Sequence, residues 1–570
     1  MTGPQKVLVI GDDTRSFLSS VRSLGRQGIE VHVAPFDFSA PALLSRYSRA
    51  THFLPYYLDG GAQWLDAIRT LLREHRFALV IPCDERALLP LCLHRDELSA
   101  LCPLAIPAPA ALDIFFDKAK TRALALSVGV PVAPGRMLGP ADTVDSIVAD
   151  IGLPVVVKEP TSYALPELYV RSSTRIIGER AALAAWLARH NHAGPILLEQ
   201  MFPGFGLGVS VLCDAGQVLQ AFEHHRAHEF NGSSYYRKSA PLDPQRLAAV
   251  ERMVKASAYS GLAMFEFKLD PADGKWILIE VNARPWGSLP LPVSLGVDFP
   301  YRLYLLQARG QATAAVTYPV GRYCRNLMQD MWQARSGAAQ LVREPLKFVA
   351  HCAGWIWSFH RVALGRERHD TLVLDDLRPG LRELRELVGG RSKAAPGVPL
   401  AQHLAQLART GRSAEVLFVC QGNINRSSYA QLKSTQLFGA GRLHFSSAGM
   451  LPRNARGSPA VAIAAAARQG VDMAAHRSRH ATAQMLEAAD VVIAFDQINL
   501  DSIAARYPHL KQPIFLLAEA DPGGRGQILD PEGKDETTFL STYRRIDACL
   551  APLAQALAAT AGPRQESTPC

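Results

Sequence analysis

Short apolar runs alternate with amphipathic stretches near both ends of this sequence, and that alternation constrains the fold more than any other feature. Near the N-terminus, the runs Lys6 to Ile10, Glu30 to Ala34 and Ala78 to Pro82 predict strands with helices between them. From residue 413 onward, EVLFVC, RLHFSSAG, ADVVIAF and PIFLLAE repeat the pattern. Strands that alternate with helices are typical of parallel α/β domains. The sequence therefore predicts an α/β domain at each end of the chain.

The region between these domains has a different character. The turn sequences CDAG and PADGK predict antiparallel hairpins, which indicates an α+β fold. Residues 321–388 are predicted to be helical and include the partly apolar segment FVAHCAGWIWSFHRVAL. This segment could be a helix that binds a membrane surface or a partner protein. We prefer the alternative that it packs against a neighbouring domain. The Gly- and Pro-rich segment GGRSKAAPGVP predicts a linker. We thus predict an α/β and α+β multidomain protein with boundaries at 1–110, 111–320, 321–388, 389–412 (linker) and 413–560.

Charge and cysteine content exclude several classes of protein. The net charge of +9 is spread along 570 residues without a basic run, so no nucleic-acid partner is indicated. Nine cysteines occur without a Cys-x2-Cys pair or zinc-finger spacing, which gives no indication of structural zinc. The N-terminus runs directly into a strand-like segment, so we expect reduced thiols and a cytoplasmic protein. No apolar run reaches the roughly 18 residues of a membrane span.

A cysteine and an arginine flank a short loop in the segment VLFVCQGNINRSS. Cys420 ends an apolar strand, and Arg426 begins the next helix after five intervening residues. A loop of this length can direct backbone N–H groups, the guanidinium and the helix N-terminus at a phosphate, and the same field favours a thiolate. Gly422 and Asn423 tolerate left-handed backbone, and Ser427 can bond the sulfur. On spacing alone, a buried strand cysteine with an unrelated surface arginine is an equal alternative.

The wider context favours the catalytic alternative. The segment resembles the signature of the low-molecular-weight protein-tyrosine-phosphatase family, and SSAG, AAHRSR, EAADVVIAFD and ILDPEG extend the resemblance over about 413–560. The resemblance implies Cys420 as nucleophile, Arg426 as phosphate clamp and Asp530 as general acid, with no cofactor. It also implies a phosphate-binding loop of Gln421, Gly422, Asn423, Ile424, Asn425 and Ser427. The sequence departs from the family at Asn425, Ser428, Glu532 and Gly533, and the last two replace aromatic residues that could stack on phosphotyrosine.

A second set of polar residues lies between residues 150 and 290. Lys158 ends the apolar run PVVVK, at a place suited to nucleotide phosphates. Glu266 and Glu280 lie on the two arms of a predicted hairpin, and Asn282 shares a strand face with Glu280. Two carboxylates and an amide oxygen are suited to Mg²⁺ that bridges nucleotide phosphates. The alternative is that these are solvated carboxylates on an exposed strand.

These elements resemble the ATP-grasp superfamily, in the branch similar to biotin carboxylase and carbamoyl-phosphate synthase, over about residues 1–330. The resemblance implies ATP-binding by Lys118, Lys158, Glu199, Gln200, Met201 and Phe202. It implies Mg²⁺ on Glu266, Glu280 and Asn282, and Arg284 as the residue that stabilises an acyl phosphate. Arg226 and Arg237 lie where substrate contacts are expected and could clamp a carboxylate. The equal alternative is that they are solvated surface arginines. The segment after Lys158 lacks the family's glycine-rich phosphate lid.

The two halves together predict a bifunctional enzyme. The N-terminal half would join a small carboxylate to an amine or other nucleophile with ATP. The C-terminal half would hydrolyse phosphotyrosine or a related phosphomonoester, with a tyrosine-phosphorylated protein as a partner. The alternative is that one half is a non-catalytic module, either a phosphoprotein-binding domain or a nucleotide sensor.

Overall fold

The computed structural model of the protein describes residues 5–36, 40–52, 54, 57, 61–163, 168, 174–190, 194–230, 233–340, 345–387, 400–410, 412–438, 442–451, 454–507, 510, 512–520 and 527–558. The chain forms two compact units. The N-terminal unit contains residues 1–36 and 40–388, and the C-terminal unit contains residues 389–570.

The N-terminal unit begins with a parallel α/β layer. Its sheet has the order β3-β2-β1-β4, with all neighbours parallel. The strands are β1 (Lys6–Ile10), β2 (Glu30–Ala34), β3 (Ser48–Thr51) and β4 (Leu79–Pro82), and the helices are α1 (Ser16–Arg26), α2 (Ala62–His75), α3 (Glu85–Leu93) and α4 (Arg95–Ser99). Apolar side chains of β1 are buried on both faces, because helices cover the sheet on both sides. Two of the three predicted strands are confirmed at their exact ends and the third begins one residue later, whereas β3 has a short polar sequence and was not predicted.

A small antiparallel sheet follows, with the order β5-β8-β6-β7. Its strands are β5 (Gly135–Met137), β6 (Val155–Lys158), β7 (Arg175–Ile177) and β8 (Leu197–Gln200). The helices of this region are α5 (Pro109–Phe115), α6 (Lys118–Ser127), α7 (Val144–Asp150) and α8 (Arg180–His190). Asp117 caps α6 by accepting hydrogen bonds from the N–H groups of Ala119 and Lys120.

A seven-stranded sheet forms the centre of the N-terminal unit, with the order β13-β12-β9-β10-β11-β14-β15. Its strands are β9 (Phe205–Asp214), β10 (Gln217–Phe230), β11 (Ser233–Ala240), β12 (Gly261–Leu269), β13 (Trp276–Asn282), β14 (Tyr323–Arg325) and β15 (Glu367–His369). The helices beside it are α9 (Pro244–Ala256), α10 (Pro290–Ser294) and α11 (Phe299–Arg309). All neighbouring pairs are antiparallel except β14–β15. The hairpins predicted at CDAG and PADGK are confirmed as β9–β10 and β12–β13.

Helices dominate the described part of residues 321–388. They are α12 (Leu327–Gln340), α13 (Pro345–Ser358), α14 (His360–Ala363) and α15 (Arg378–Leu387). Buried Arg325 of β14 connects these helices to the sheet, because its guanidinium lies 2.6 Å from both Asp330 of α12 and Glu367 of β15. Helix α13 is only partly packed, because Trp355 donates to Asp330 at 2.7 Å whereas the Trp357 side chain is 72% exposed.

The C-terminal unit is a doubly wound α/β domain around a parallel sheet of order β17-β16-β18-β19. The strands are β16 (Ala414–Cys420), β17 (Leu443–Gly449), β18 (Val491–Ala494) and β19 (Ile514–Leu516), and the helices are α16 (Leu400–Arg409), α17 (Arg426–Phe438), α18 (Ala460–Ala467), α19 (Ala483–Ala488), α20 (Gln497–Arg506) and α21 (Glu536–Ala558). Val416 and Phe418 face one buried core, and Leu417 and Val419 face the other. Helix α16 falls within the predicted linker, but its Leu400 and Leu404 are buried in the C-terminal core.

These sheets confirm the predicted α/β and α+β fold class. Among the described helices, none combines the length and the apolar character needed to cross a membrane.

Candidate active sites

The loop between β16 and α17 surrounds the Cys420 sulfur. The sulfur is buried, accepts a hydrogen bond from the Asn423 backbone N–H at 3.2 Å and lies 3.0 Å from the Ser427 hydroxyl. Asn423 has φ +52°, so it is the loop residue in the left-handed region, and Gly422 does not share that conformation. Of the two residues that tolerate left-handed backbone, Asn423 therefore supplies it. The left-handed turn brings the Asn423 N–H back toward the sulfur.

Asn423 also connects the loop to three other segments. Its amide donates to Ser427 at 3.0 Å and to Ser447 of β17 at 2.8 Å, and its side-chain oxygen accepts from the Arg479 backbone N–H at 2.8 Å. Its backbone oxygen lies 2.8 Å from the ring of His476, whose pKa is lowered by burial. The loop is thus held in shape before any ligand binds, which is the condition for electrostatic stabilisation of a transition state.

Arg426 is oriented by residues that are distant in sequence. One terminal nitrogen donates to Asp496 and to the Ile528 carbonyl oxygen, at 2.5 and 2.8 Å, and the other lies 2.6 Å from Asp530. Burial opposes the guanidinium charge, but the Cys420, Asp530 and Asp496 charges together raise the Arg426 pKa. Its Nε is buried without a hydrogen-bond partner among the described residues. Nε and the Asp530-bound nitrogen form the edge that a phosphate can bind in bidentate fashion.

Asp530 lies at the more open side of this loop. Its side chain is 32% exposed and pairs with Arg426. Asn425, one of the positions at which the sequence departs from the family, donates to Glu532 at 2.6 Å and to Asp530 at 3.4 Å. Glu532, one of the two residues that replace the family's aromatic side chains, therefore occupies part of the loop entrance. The oxygen of Asn425 and that of Gln421 are buried without partners among the described residues.

Four residues of this site were not given a role from the sequence. Asp496, His476, Ser447 and Gly449 lie in the segments EAADVVIAFD, AAHRSR and SSAG, which carried the family resemblance. A Cβ on Gly449 would lie 2.9 Å from the Gln421 carbonyl oxygen, so glycine is required where the loop packs on β17. The sequence therefore contained the segments that carry these residues, but their spacing along the chain did not indicate which residues contact the loop.

The second candidate site lies on the β12–β13 hairpin of the N-terminal unit. Glu266 and Glu280 are directly opposite each other in the register, and the Asn282 amide donates to Glu266 at 3.0 Å. The Glu266 carboxylate also pairs with Arg226. Burial raises the Glu266 pKa, and the neighbouring Glu280 charge adds to this shift against the opposing effect of Arg226. Glu266 and Glu280 are half-buried, and repulsion between two such neighbouring carboxylates is relieved by a bound cation, so this group fits Mg²⁺.

Arg284 follows this hairpin and connects it to the first α/β layer. It donates to Glu85 at 2.9 Å and to Asn282 at 3.2 Å. The charge on Glu85 raises the Arg284 pKa although burial opposes it. A cavity of about 100 Å³ lies beside these residues, and its polar lining includes Glu85, Lys118, Thr121, Ser162, Glu280 and Asn282. That volume suits a phosphate group or a small carboxylate rather than a whole nucleotide, since complete ligand pockets span about 300–1,000 Å³.

The predicted ATP-binding residues lie on two neighbouring strands and one helix start. Lys158 of β6 and Glu199 of β8 form a buried ion pair at 2.6 Å, and Arg122, which the sequence did not indicate, approaches Glu199 at 3.1 Å. Lys118 begins α6 and donates to Ser162 at 3.0 Å. Gln200 and Met201 are exposed at the end of β8. The Phe202 carbonyl oxygen accepts a hydrogen bond from Lys268.

The two predicted substrate arginines occupy different environments although they are paired across β10 and β11. The guanidinium of Arg226 pairs with the carboxylate of Glu266, in the candidate Mg²⁺ site. Arg237 is completely buried, pairs with Asp370 and donates to the Gly287 carbonyl oxygen at 2.7 Å. The open, substrate-clamping position expected for Arg237 is therefore not what the structure shows. Its partner comes from the helical extension, which the sequence did not connect to this strand.

Known proteins match both halves of the chain. The family model "Low molecular weight phosphotyrosine protein phosphatase" matches residues 415–562. A probable low molecular weight protein-tyrosine-phosphatase of Ralstonia nicotianae is 30% identical over 132 residues, which cover 87% of that protein and 23% of this chain. The C-terminal part of the chain belongs to this phosphatase family. A protein-arginine-phosphatase of Bacillus subtilis is also similar, with 28% identity over 146 residues, 96% of its length and 25% of this chain.

The N-terminal part matches ATP-dependent enzymes. A D-alanine–D-alanine ligase of a Synechococcus strain is 25% identical over 192 residues, 31% of this chain. This supports the ATP-grasp resemblance of the region. The matches cover 57% of that ligase and 16% of a putative urea carboxylase of Emericella nidulans, so the chain spans less than two thirds of the length of these relatives. The biotin carboxylase structure of Campylobacter jejuni has 17% identity and a TM-score of 0.45, over 55% of this chain and 74% of that one.

Proposed function

We propose that the C-terminal domain of this ATP-grasp-like and phosphatase-like chain hydrolyses phosphomonoesters through a cysteinyl-phosphate. The observation that carries the proposal is the Nε of buried Arg426, which has no hydrogen-bond partner in the described part of the chain and lies in the same loop as the buried Cys420 sulfur. In the first step the sulfur forms a bond to phosphorus, the bond to the leaving oxygen breaks, and Asp530 donates a proton to that oxygen. In the second step a water oxygen forms a bond to phosphorus while Asp530 accepts its proton, the sulfur–phosphorus bond breaks to restore the Cys420 thiolate, and inorganic phosphate leaves.

The proposed substrate is a tyrosine-phosphorylated protein, because two relatives of this domain are named as protein-tyrosine-phosphatases. Phosphoarginine is the competing substrate, because other relatives of the same domain are arginine phosphatases. Glu532 at the loop entrance distinguishes this chain from an aromatic-lined site, since a carboxylate does not stack on a phenyl ring. Matched peptides with phosphotyrosine or phosphoarginine would decide between the two. Faster release of phosphate from the phosphoarginine peptide would exclude the tyrosine assignment.

The phosphatase proposal is tested with p-nitrophenyl phosphate and the full chain. Cys420→Ser should abolish turnover because it removes the nucleophile. Cys92→Ser is the control, since Cys92 is a half-buried thiol of the N-terminal unit. If Cys420→Ser retains wild-type turnover, or the wild type is inert, the domain is better assigned as a phosphate-binding module. A reduced thiol is required, and the free cysteines of the described chain fit the proposed cytoplasmic location.

For the N-terminal half, we infer an ATP-dependent carboxylate ligase. The paired Glu266 and Glu280 with Asn282 carry this inference, because their charges fit Mg²⁺. Mg²⁺ would offset the charge of nucleotide phosphates, while Lys118 and Lys158 contact ATP and Arg284 stabilises the acyl phosphate that an amine then attacks. Its substrates would be a small carboxylate and an amine or other nucleophile.

ADP release in the presence of pooled carboxylates and amines tests the ligase proposal. Glu280→Gln should abolish substrate-dependent ADP release, whereas Glu251→Gln, on an exposed face of α9, should leave it unchanged. Nucleotide binding without any substrate-dependent ADP release would indicate a nucleotide sensor instead.

A further inference from the structure

Three histidines of the first α/β layer meet at one place although they are far apart in sequence. His32 lies on β2, His52 directly follows β3, and His75 is the last residue of α2. One ring nitrogen from each lies within 4.8 Å of those of the other two. The ring centroids are 4.7–5.1 Å apart. Neither the phosphatase loop nor the Glu266–Glu280 group contains these residues.

The orientation of His32 is fixed by a carboxylate on its own strand. Its Nε2 lies 2.8 Å from Glu30, and its Nδ1 lies 2.7 Å from Nε2 of His52. Because the carboxylate accepts the proton of Nε2, the Nδ1 of neutral His32 presents a lone pair to the other two rings. A histidine that donates one nitrogen to a carboxylate and directs the other at a metal is the usual second-sphere arrangement of zinc sites.

The surroundings suit a metal with one open coordination position. His32 is buried and stacks edge-on against Phe77, at 5.2 Å between ring centroids. His52 and His75 are half-buried, so solvent reaches one side of the cluster. Three protein nitrogens and a water are the ligand set of open tetrahedral zinc sites.

The distances are close to those that a metal requires. Zn–N bonds of about 2.0–2.1 Å in a tetrahedron place ligand nitrogens about 3.3 Å apart. The His32 and His52 nitrogens would separate slightly from 2.7 Å, and the wider pairs, none beyond 4.8 Å, would close by at most about 1.5 Å through side-chain rotation. Imidazole favours Zn²⁺, Ni²⁺ and Cu²⁺ over the hard Mg²⁺.

We propose that His32, His52 and His75 form a binding site for a divalent transition-metal ion of the zinc class, oriented by Glu30 and separate from the Mg²⁺ group. Nothing in the sequence indicated this site, because the three residues do not follow any short metal-ligand spacing.

The test is Zn²⁺ binding to the full chain in a Cys420→Ser background, with excess Mg²⁺ present. The background removes the phosphatase thiol as a competing zinc ligand, and Mg²⁺ competes at Glu266 and Glu280. Stoichiometry and affinity are measured by competition with a chromophoric chelator, and Co²⁺ is used to record the absorption of a tetrahedral nitrogen site. We expect one tightly bound Zn²⁺ per chain and an intense Co²⁺ spectrum.

Variants separate this site from other ligands. His52→Ala and His75→Ala should each weaken Zn²⁺ binding at least 100-fold, and Glu30→Gln should weaken it about 10- to 100-fold without abolishing it. His94→Ala is the matched control, since His94 is a half-buried histidine of the same layer whose ring bonds to Tyr57. Circular dichroism of each metal-free variant shows whether it is folded. Of these substitutions, His75→Ala should disturb the core least, because His75 is half-buried and lies at the end of a helix.

Two outcomes would overturn the proposal. One is a chain that binds no Zn²⁺ or Co²⁺ at micromolar concentrations. The other is a folded His75→Ala variant that binds Zn²⁺ as tightly as the His94→Ala control, which would place the zinc elsewhere.

Discussion

Replacing Asp530 by Asn should slow the phosphatase reaction and strengthen phosphate binding at the same time. The structure places an Asp530 oxygen 2.6 Å from a terminal nitrogen of Arg426. That nitrogen is half of the guanidinium edge that a phosphate would bind. The ligand must therefore displace the carboxylate from the arginine, or approach while the carboxylate repels it. The Asp530→Asn substitution keeps the size of the side chain and removes its charge and its acidic proton.

The two effects have different magnitudes. Loss of a general acid costs about 100- to 10,000-fold in rate. The free energy of the Asp530–Arg426 ion pair is smaller, because the Asp530 side chain is 32% exposed and such exposed pairs contribute about 0.2–1 kcal/mol. Release of about 1 kcal/mol corresponds to roughly fivefold tighter binding of inorganic phosphate. The expected result is therefore a large fall in kcat with a several-fold fall in the phosphate inhibition constant.

The assay is hydrolysis of p-nitrophenyl phosphate with inorganic phosphate as competitive inhibitor. Asp535→Asn is the matched control, since this exposed carboxylate bonds to Thr538 at the start of α21. The control should change neither constant. An Asp530→Asn variant with unchanged kcat would exclude Asp530 as the acid. A lowered kcat with an unchanged or raised inhibition constant would refute the idea that Asp530 competes with phosphate for Arg426.

Four further predictions follow from buried contacts. Asp496→Asn keeps the side-chain cap of α20 but removes the negative charge beside Arg426. It should lower the unfolding free energy of the C-terminal unit by about 1.5–3 kcal/mol in urea denaturation and should reduce kcat/KM in the phosphatase assay. Arg237→Leu leaves Asp370 unpaired and should destabilise the N-terminal unit by about 3–5 kcal/mol in urea, whereas exposed Arg252→Leu should not. Leu404→Ala should lower the stability of the C-terminal unit by about 2–5 kcal/mol, which would be seen as a lower melting temperature of that unit and would be refuted by an unchanged one. Burial lowers the pKa of His476 from 6.5, so the unfolded chain binds the proton more readily; stability should fall as pH drops below about 6.5, and His476→Gln should flatten that urea-denaturation profile.

The sequence alone determined the features that depend on neighbours along the chain. Strand β16, the loop and the start of α17 occupy a short continuous segment, so the spacing of Cys420 and Arg426, together with the resemblance of the surrounding segments to the phosphatase family, was enough to predict that the two residues meet. The β12–β13 hairpin is equally local, because its turn sets the register that places Glu266 opposite Glu280. The parallel α/β pattern at each end followed from the alternation of apolar runs.

Only the tertiary structure decided the partners that come from distant segments. Asp496 and the Ile528 carbonyl oxygen hold Arg426 from 70 and 102 residues away, and Asp370 removes Arg237 from solvent across 133 residues. The histidine cluster likewise joins a strand, a strand end and a helix end. Hydrophobic patterning states which face of an element is buried but not which element covers it. Polar contacts made across such interfaces therefore become visible only when the layers are packed.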